Sequence, residues 1–220
     1  MSRPAGSEPP AVALVVGRAP GDPAALAGLA PLLDAERRAA LQAVLLRRAA
    51  TWAVAAAPGA AYLAVTPAGP PGAVAALLPP GVEALAAEGR DRGELLTAAV
   101  ARIGRGPLLV AGADCPRLGA VHAAAALSDL AAGCDIVFGA TLEGDWYLAG
   151  LREPRPELLG IAPDAGRRPA GLGPVLQRAR ELGAEVGMLR HERVLATPGD
   201  VAALLADPLL PEDLRAALSA

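Results

Sequence analysis

A chain of 220 residues is long enough for one sizeable α/β domain and short for two. Its net charge of −3, with no basic cluster, argues against nucleic acid as the main partner. All 20 basic residues are arginine, so the chain can form no lysine Schiff base with pyridoxal phosphate and offers no P-loop lysine to a triphosphate.

The two histidines, His122 and His191, leave little room for a histidine-rich metal site or a histidine-based triad, and both read as structural. Cys115 and Cys134 lack metal-ligand spacing and read as reduced, buried thiols. No apolar run approaches the roughly 20 residues that span a bilayer. Residues 11–16 are too short for a signal-peptide core, so a cytoplasmic protein with no membrane span is expected. Only five residues are aromatic, and the core must rest on Leu, Val and Ala.

In chain order, residues 1–10 are Pro, Ser and Gly-rich and predict a disordered tail, leaving 11–220 as a single domain. Residues 11–16 predict a buried strand that delivers Arg18 to its end, and residues 24–33 a loop or short helix. Asp34 is placed to cap a long helix over 35–56 whose Leu41, Val44, Leu45 and Trp52 share one face. A second strand over 60–65 leads into a Pro/Gly loop and a short helix ending near Leu78. The charged turn at 89–93 opens a helix ending near Ile103.

Leu108 to Ala111 form an unbroken apolar run between Pro107 and Gly112, the pattern of a strand covered on both faces of a parallel sheet. Asp114 follows at once, at the rim where open α/β sheets bind ligands. A helix over about 118–132 and a strand over 136–138 come next. Then a loop carries Glu143 and Asp145 into an aromatic strand starting at Trp146. Residues 154–174 have the length of a flap or binding loop. A helix over 175–182, a strand over 185–188, a helix start at Thr197, Pro198 and Asp200, and a last helix opening at Pro211 complete the chain. Strands alternating with helices predict a three-layer α/β/α fold. Its sheet is mainly parallel and doubly wound, with an antiparallel edge made by the Trp146 strand.

Five motifs in order resemble the GT-A nucleotide-diphospho-sugar transferase fold. The nearest likeness is to a bacterial group assigned as glycosyltransferases, a domain of largely unknown function. That group shows RAPxPGxxKTRLAP after its first strand, then GxDLGERL, GxDCPxL, GPxxDGGYYLxGL and DVDTPEDL. Here GRAPGDPAALAGLAP matches at Arg18, Ala19, Pro20, Leu29, Ala30 and Pro31, and GRDRGELL at Gly89, Asp91, Gly93, Glu94 and Leu96. AGADCPRL matches at Gly112, Asp114, Cys115, Pro116 and Leu118, and FGATLEGDWYLAGL at Gly139, Gly144, Tyr147, Leu148, Gly150 and Leu151. LATPGDVAAL matches at Thr197, Pro198 and Asp200.

The chain also departs from that pattern. The KTR triplet is Leu26, Ala27 and Gly28, the two acids of DVD are Val194 and Ala196, and the first tyrosine of DGGYY is Trp146.

The resemblance implies a metal-dependent glycosyltransferase that takes a nucleotide-diphospho-sugar and an unidentified acceptor. Asp114 would hold Mg²⁺ or Mn²⁺. Gly17, Arg18, Asp91, Ala113 and Asp114 would line the nucleotide, Glu143 and Asp145 would be catalytic, and Gly144, Trp146 and Tyr147 would face substrate. Two alternatives stand beside it: a guanylyltransferase-like nucleotidyl transfer, and a degenerate domain that binds nucleotide or protein without catalysis. From the residues alone Asp114 also reads as a helix cap, Glu143 and Asp145 as solvated loop acids, and Trp146 and Tyr147 as core. Arg90, Arg92, Arg117, Arg167 and Arg168 are further sources of positive charge.

Overall fold

The computed structural model describes residues 10–67, 74–85, 92–104, 106–159 and 172–219. Its strands are β1 (Val12–Arg18), β2 (Ala61–Thr66), β3 (Val82–Ala84), β4 (Leu108–Gly112), β5 (Ile136–Thr141), β6 (Trp146–Leu151) and β7 (Val186–Glu192). The helices are α1 (Ala35–Ala56), α2 (Arg92–Ile103), α3 (Ala120–Ala131), α4 (Pro156–Leu159), α5 (Leu172–Glu181), α6 (Pro198–Leu205) and α7 (Glu212–Ser219). Residues 1–9 of the predicted disordered tail lie outside the described residues, as does the middle of the predicted flap.

The seven strands form one sheet in the order β3-β2-β1-β4-β6-β5-β7. Only β6 runs antiparallel, pairing with β4 and β5, and every other pairing is parallel. The α/β class and the mainly parallel sheet are as expected, but the antiparallel strand is not an edge. The turn after β5 folds β6 straight back beside it, and the α3 crossover from β4 to β5 leaves one strand width for β6 to fill. Its six residues are all buried, as an interior position requires. The edges are the three-residue β3 and β7.

Helices α1 and α3 pack together on one face, while α2, α4 and α5 pack in succession as a separate layer. Asp34 caps α1 as the sequence predicts, its carboxylate accepting the N–H of Arg37 at 2.9 Å. A second, smaller core joins α1 to α6 and α7 through Leu41, Leu45, Leu195, Leu204, Leu214 and Leu218. This core decides where the segment after β7 runs. The N–H of Leu195 donates to the backbone oxygen of Asp114 at 2.8 Å, which lays residues 193–197 beside the end of β4.

Candidate functional site

Because six strands are parallel and β6 enters from their far end, one edge of the sheet collects the ends of β1, β2, β4, β5 and β7 and the start of β6. Arg18, Asp114, the 142–145 turn and Glu192 all belong to that edge.

Gly17 and Arg18 end β1 next to Ala113 and Asp114. The N–H of Ala113 donates to the oxygen of Val16 at 3.0 Å, and a Cβ on Gly17 would lie 3.2 Å from that of Ala113. The Asp114 carboxylate is half-buried and has no hydrogen-bond or ion-pair partner among the described residues. It is therefore not a helix cap. The first turn of α3 is capped instead by His122, whose Nδ1 accepts the N–H of Gly119 at 3.1 Å.

Arg18 is anchored rather than free, donating from Nη1 to Asp22 at 2.8 Å. Arg117 pairs with Asp207 at the start of the link to α7, so it ties the Asp114 loop to the C-terminal helices. Asp91, Arg90, Arg167 and Arg168 lie outside the described residues, as does the side chain of Arg92.

The departures from the family pattern meet in space. A Cβ on Gly28 would lie 2.1 Å from the backbone oxygen of Ala196. The loop that replaces the basic triplet is thus packed directly on the segment that replaces the second acidic motif, and no side chain fits at position 28.

On the other flank, the 142–145 turn is closed by Thr141. Its N–H donates to the oxygen of Asp145 at 2.8 Å, and its Oγ1 accepts the N–H of Asp145 at 3.0 Å. Gly144 sits exposed at φ +84°. Asp145 accepts the N–H of Trp146 at 2.8 Å, whereas Glu143 is exposed with no partner among the described residues. Trp146 and Tyr147 are 2% and 0% exposed. They occupy core positions and offer no open ring face, so the expectation that these two face substrate gives way to the core reading.

Glu192 and Arg190, which the sequence reading did not single out, complete the edge with His122 and Tyr147. Glu192 Oε1 lies 3.1 Å from His122 Nε2 and 2.8 Å from Arg190 Nε, and the hydroxyl of Tyr147 donates to the backbone oxygen of Arg190 at 3.1 Å. The ring of Tyr147 meets that of His122 edge-on at 5.4 Å. Burial raises the pKa of the Tyr147 hydroxyl, and the charge of Glu192 adds to the effect. Burial raises that of the Cys115 thiol too, helped by Asp114 and Glu192, so the thiol stays protonated.

Among the described residues no group of three His, Cys, Asp or Glu side chains is arranged to hold a metal ion. A single unengaged carboxylate still suits a hard cation that brings phosphate oxygens and water as its other ligands, the usual arrangement for Mg²⁺ on a nucleotide.

The α/β fold is one that several solved structures share. A "putative nucleotide-diphospho-sugar transferase" from Desulfovibrio desulfuricans G20 superposes with a TM-score of 0.76 at 20% identity, covering 95% of this chain and 94% of that one. Rv0371c from Mycobacterium tuberculosis H37Rv superposes at 0.54 and 19% identity over 90% of this chain and 98% of its own. Its complex with manganese superposes at 0.51 and 16% identity over the same shares. No curated protein matches the chain. Residues 49–163 match the family described as "Uncharacterized protein conserved in bacteria (DUF2064)", and the chain belongs to that family.

Proposed function

We propose that the domain binds a nucleotide-diphospho-sugar with a divalent cation and transfers the sugar to an acceptor hydroxyl. The observation that carries this reading is the unengaged carboxylate of Asp114 at the end of β4, with Arg18 on the adjoining strand end. Asp114 would hold Mg²⁺ or Mn²⁺, and manganese in the Rv0371c complex supports a divalent ion in this fold. When bound, the cation neutralises charge that develops on the diphosphate leaving group.

The chain's own residues do the rest. Arg18 contacts a phosphate oxygen, with Asp22 fixing its orientation. The acceptor oxygen attacks the anomeric carbon as the bond from that carbon to the diphosphate oxygen breaks. Glu143 takes the acceptor's proton, and the nucleoside diphosphate departs. Asp145 holds the turn that presents Glu143.

The close packing of Gly28 on Ala196 favours a second reading, binding without transfer, because it removes two charged positions of the family pattern together. Nucleotidyl transfer fits less well. A triphosphate carries more charge than a diphosphate, the chain has no lysine, and Arg18 already shares its charge with Asp22.

Thermal-shift measurements with a panel of nucleotide-diphospho-sugars, with and without Mn²⁺, test the reading. A metal-requiring rise that disappears in Asp114→Ala supports it, and no rise with any nucleotide overturns it. A rise without turnover on any acceptor tried selects binding alone.

A further inference from the structure

Beyond Asp114, the sheet edge carries a polar cluster that nucleotide binding does not use. Glu192 and His122 are 8% and 2% exposed, yet both reach Arg190, whose side chain is 61% exposed. Gly119 donates to His122 Nδ1, so in the neutral ring Nε2 carries the proton and donates to Glu192 Oε1. The same carboxylate oxygen receives Arg190 Nε at 2.8 Å, so the guanidinium is fastened to Glu192, which His122 braces in turn. The rest of the guanidinium faces outward.

The backbone is shaped for this arrangement. Gly139 pairs with Leu189 and Thr141 with Glu192, so β7 carries one residue more than β5 across that interval. Such a bulge re-aims side chains, and bulges gather beside functional sites. Here it brings Arg190 and Glu192 together onto His122. Burying a carboxylate and an imidazole to steady one exposed arginine adds little stability, because the desolvation cost offsets the attraction. What it does supply is a cation held in one orientation. The first turn of α3, to which His122 belongs, adds the positive end of a helix nearby.

Arg190 stands on β7 and Arg18 on β1, four strand spacings apart, so the two arginines serve different parts of the edge. The 142–145 turn lies against β7, where the N–H of Leu142 donates to the backbone oxygen of Glu192 at 3.3 Å. An acceptor lying across that turn is within reach of Arg190.

We propose that Arg190, held by Glu192, which His122 braces from beneath, recognises an anionic group, phosphate or carboxylate, on the acceptor. Calling that molecule the acceptor rests on the transferase reading above, whereas the anion site itself does not. Arg190 makes the contact, and Glu192 is its positioning residue.

Calorimetric titration of the full chain with inorganic phosphate, acetate, glycerol 3-phosphate and glycerol tests this. At least one anion is expected to bind while glycerol does not, and the phosphate and acetate arms distinguish the two kinds of group. Arg190→Gln, at an exposed position, is expected to weaken that binding about tenfold or more. It is expected to leave the Mn²⁺-dependent nucleotide shift unchanged. Glu192→Gln keeps the shape and removes the charge, and is expected to weaken anion binding as well. Asp114→Ala is expected to abolish the nucleotide shift and spare the anion. The proposal is overturned if no anion binds the wild-type chain, or if Arg190→Gln binds anions as tightly as wild type and differs only in melting temperature. Loss of nucleotide binding alone would count against the transferase reading and leave the anion site standing.

Discussion

Tyr147 packs against Gly139, and a Cβ at that position would clash with the Cζ, Cε1 and hydroxyl oxygen of its side chain. The ring is held in place, since its hydroxyl is tied to Arg190 and it meets the His122 ring in a T-shaped contact. Gly139→Ala is therefore expected to destabilise the chain by about 1–3 kcal/mol through overpacking, measured by urea unfolding. It is also expected to loosen Arg190, because the ring is one of its supports. Gly28→Ala meets a backbone oxygen rather than a side chain, so the loop itself must move. A comparable loss of stability is expected, with Gly28→Arg worse than Gly28→Ala. Restoring the missing charge at that position would then not restore phosphate binding. If Gly28→Arg instead gained nucleotide affinity without loss of stability, the packing described around Ala196 would be wrong.

Among the elements, α6 carries the most explicit local instruction, and its sequence states it openly. Thr197 accepts the N–H of Asp200, Asp200 accepts the N–H of Thr197 at 2.8 Å, and Pro198 opens the helix. Burial alone would raise the pKa of Asp200, but hydrogen bonds from Arg193, Thr197 and Ala196 outweigh it and hold the carboxyl below its ordinary value. The sign follows. A carboxylate lowered in the folded state contributes stability that is full above its unfolded pKa of about 4 and is lost as pH falls through the folded value. Unfolding measured from about pH 6 down to about pH 2 should show wild type converging on Asp200→Asn at the acid end, with a gap above pH 4. A gap independent of pH would contradict this.

β7 is the opposite case. Its first residues read as a strand, but Arg190, His191 and Glu192 look like a solvated loop, since nothing in the sequence marks a bulge or a buried partner for a glutamate. That is why the Glu192–His122 pair was not legible, although charged residues right after an apolar stretch are a signal worth weighing. β3 was missed because three residues, one half-buried and two exposed, carry no period.

At the scale of the whole molecule, the class, the ends of α1 and the placing of Asp114 at a strand end could be read from apolar runs, caps and turn residues. The order of the strands could not, because pairing depends on which gap a crossover leaves, and β6 fills an interior gap that its own residues do not announce. Nor could the dependence of the site on the second core. Leu214 is fully buried between α1 and α6, and Arg117 and Arg48 fasten the same helices from outside through Asp207 and Asp213. Leu214→Ala is expected to cost about 2–5 kcal/mol. By loosening the segment that holds Asp114 through Leu195, it should also weaken metal-dependent nucleotide binding at temperatures where the sheet remains folded. Circular dichroism and thermal shift on the same samples separate the two effects.

The most direct test of the central claim is anomalous diffraction from crystals soaked with Mn²⁺ and a nucleoside diphosphate. The account expects a manganese peak within coordination distance of the Asp114 carboxylate, bridging it to the diphosphate, and no such peak in Asp114→Ala. Nucleotide bound elsewhere, or manganese held away from Asp114, would contradict it.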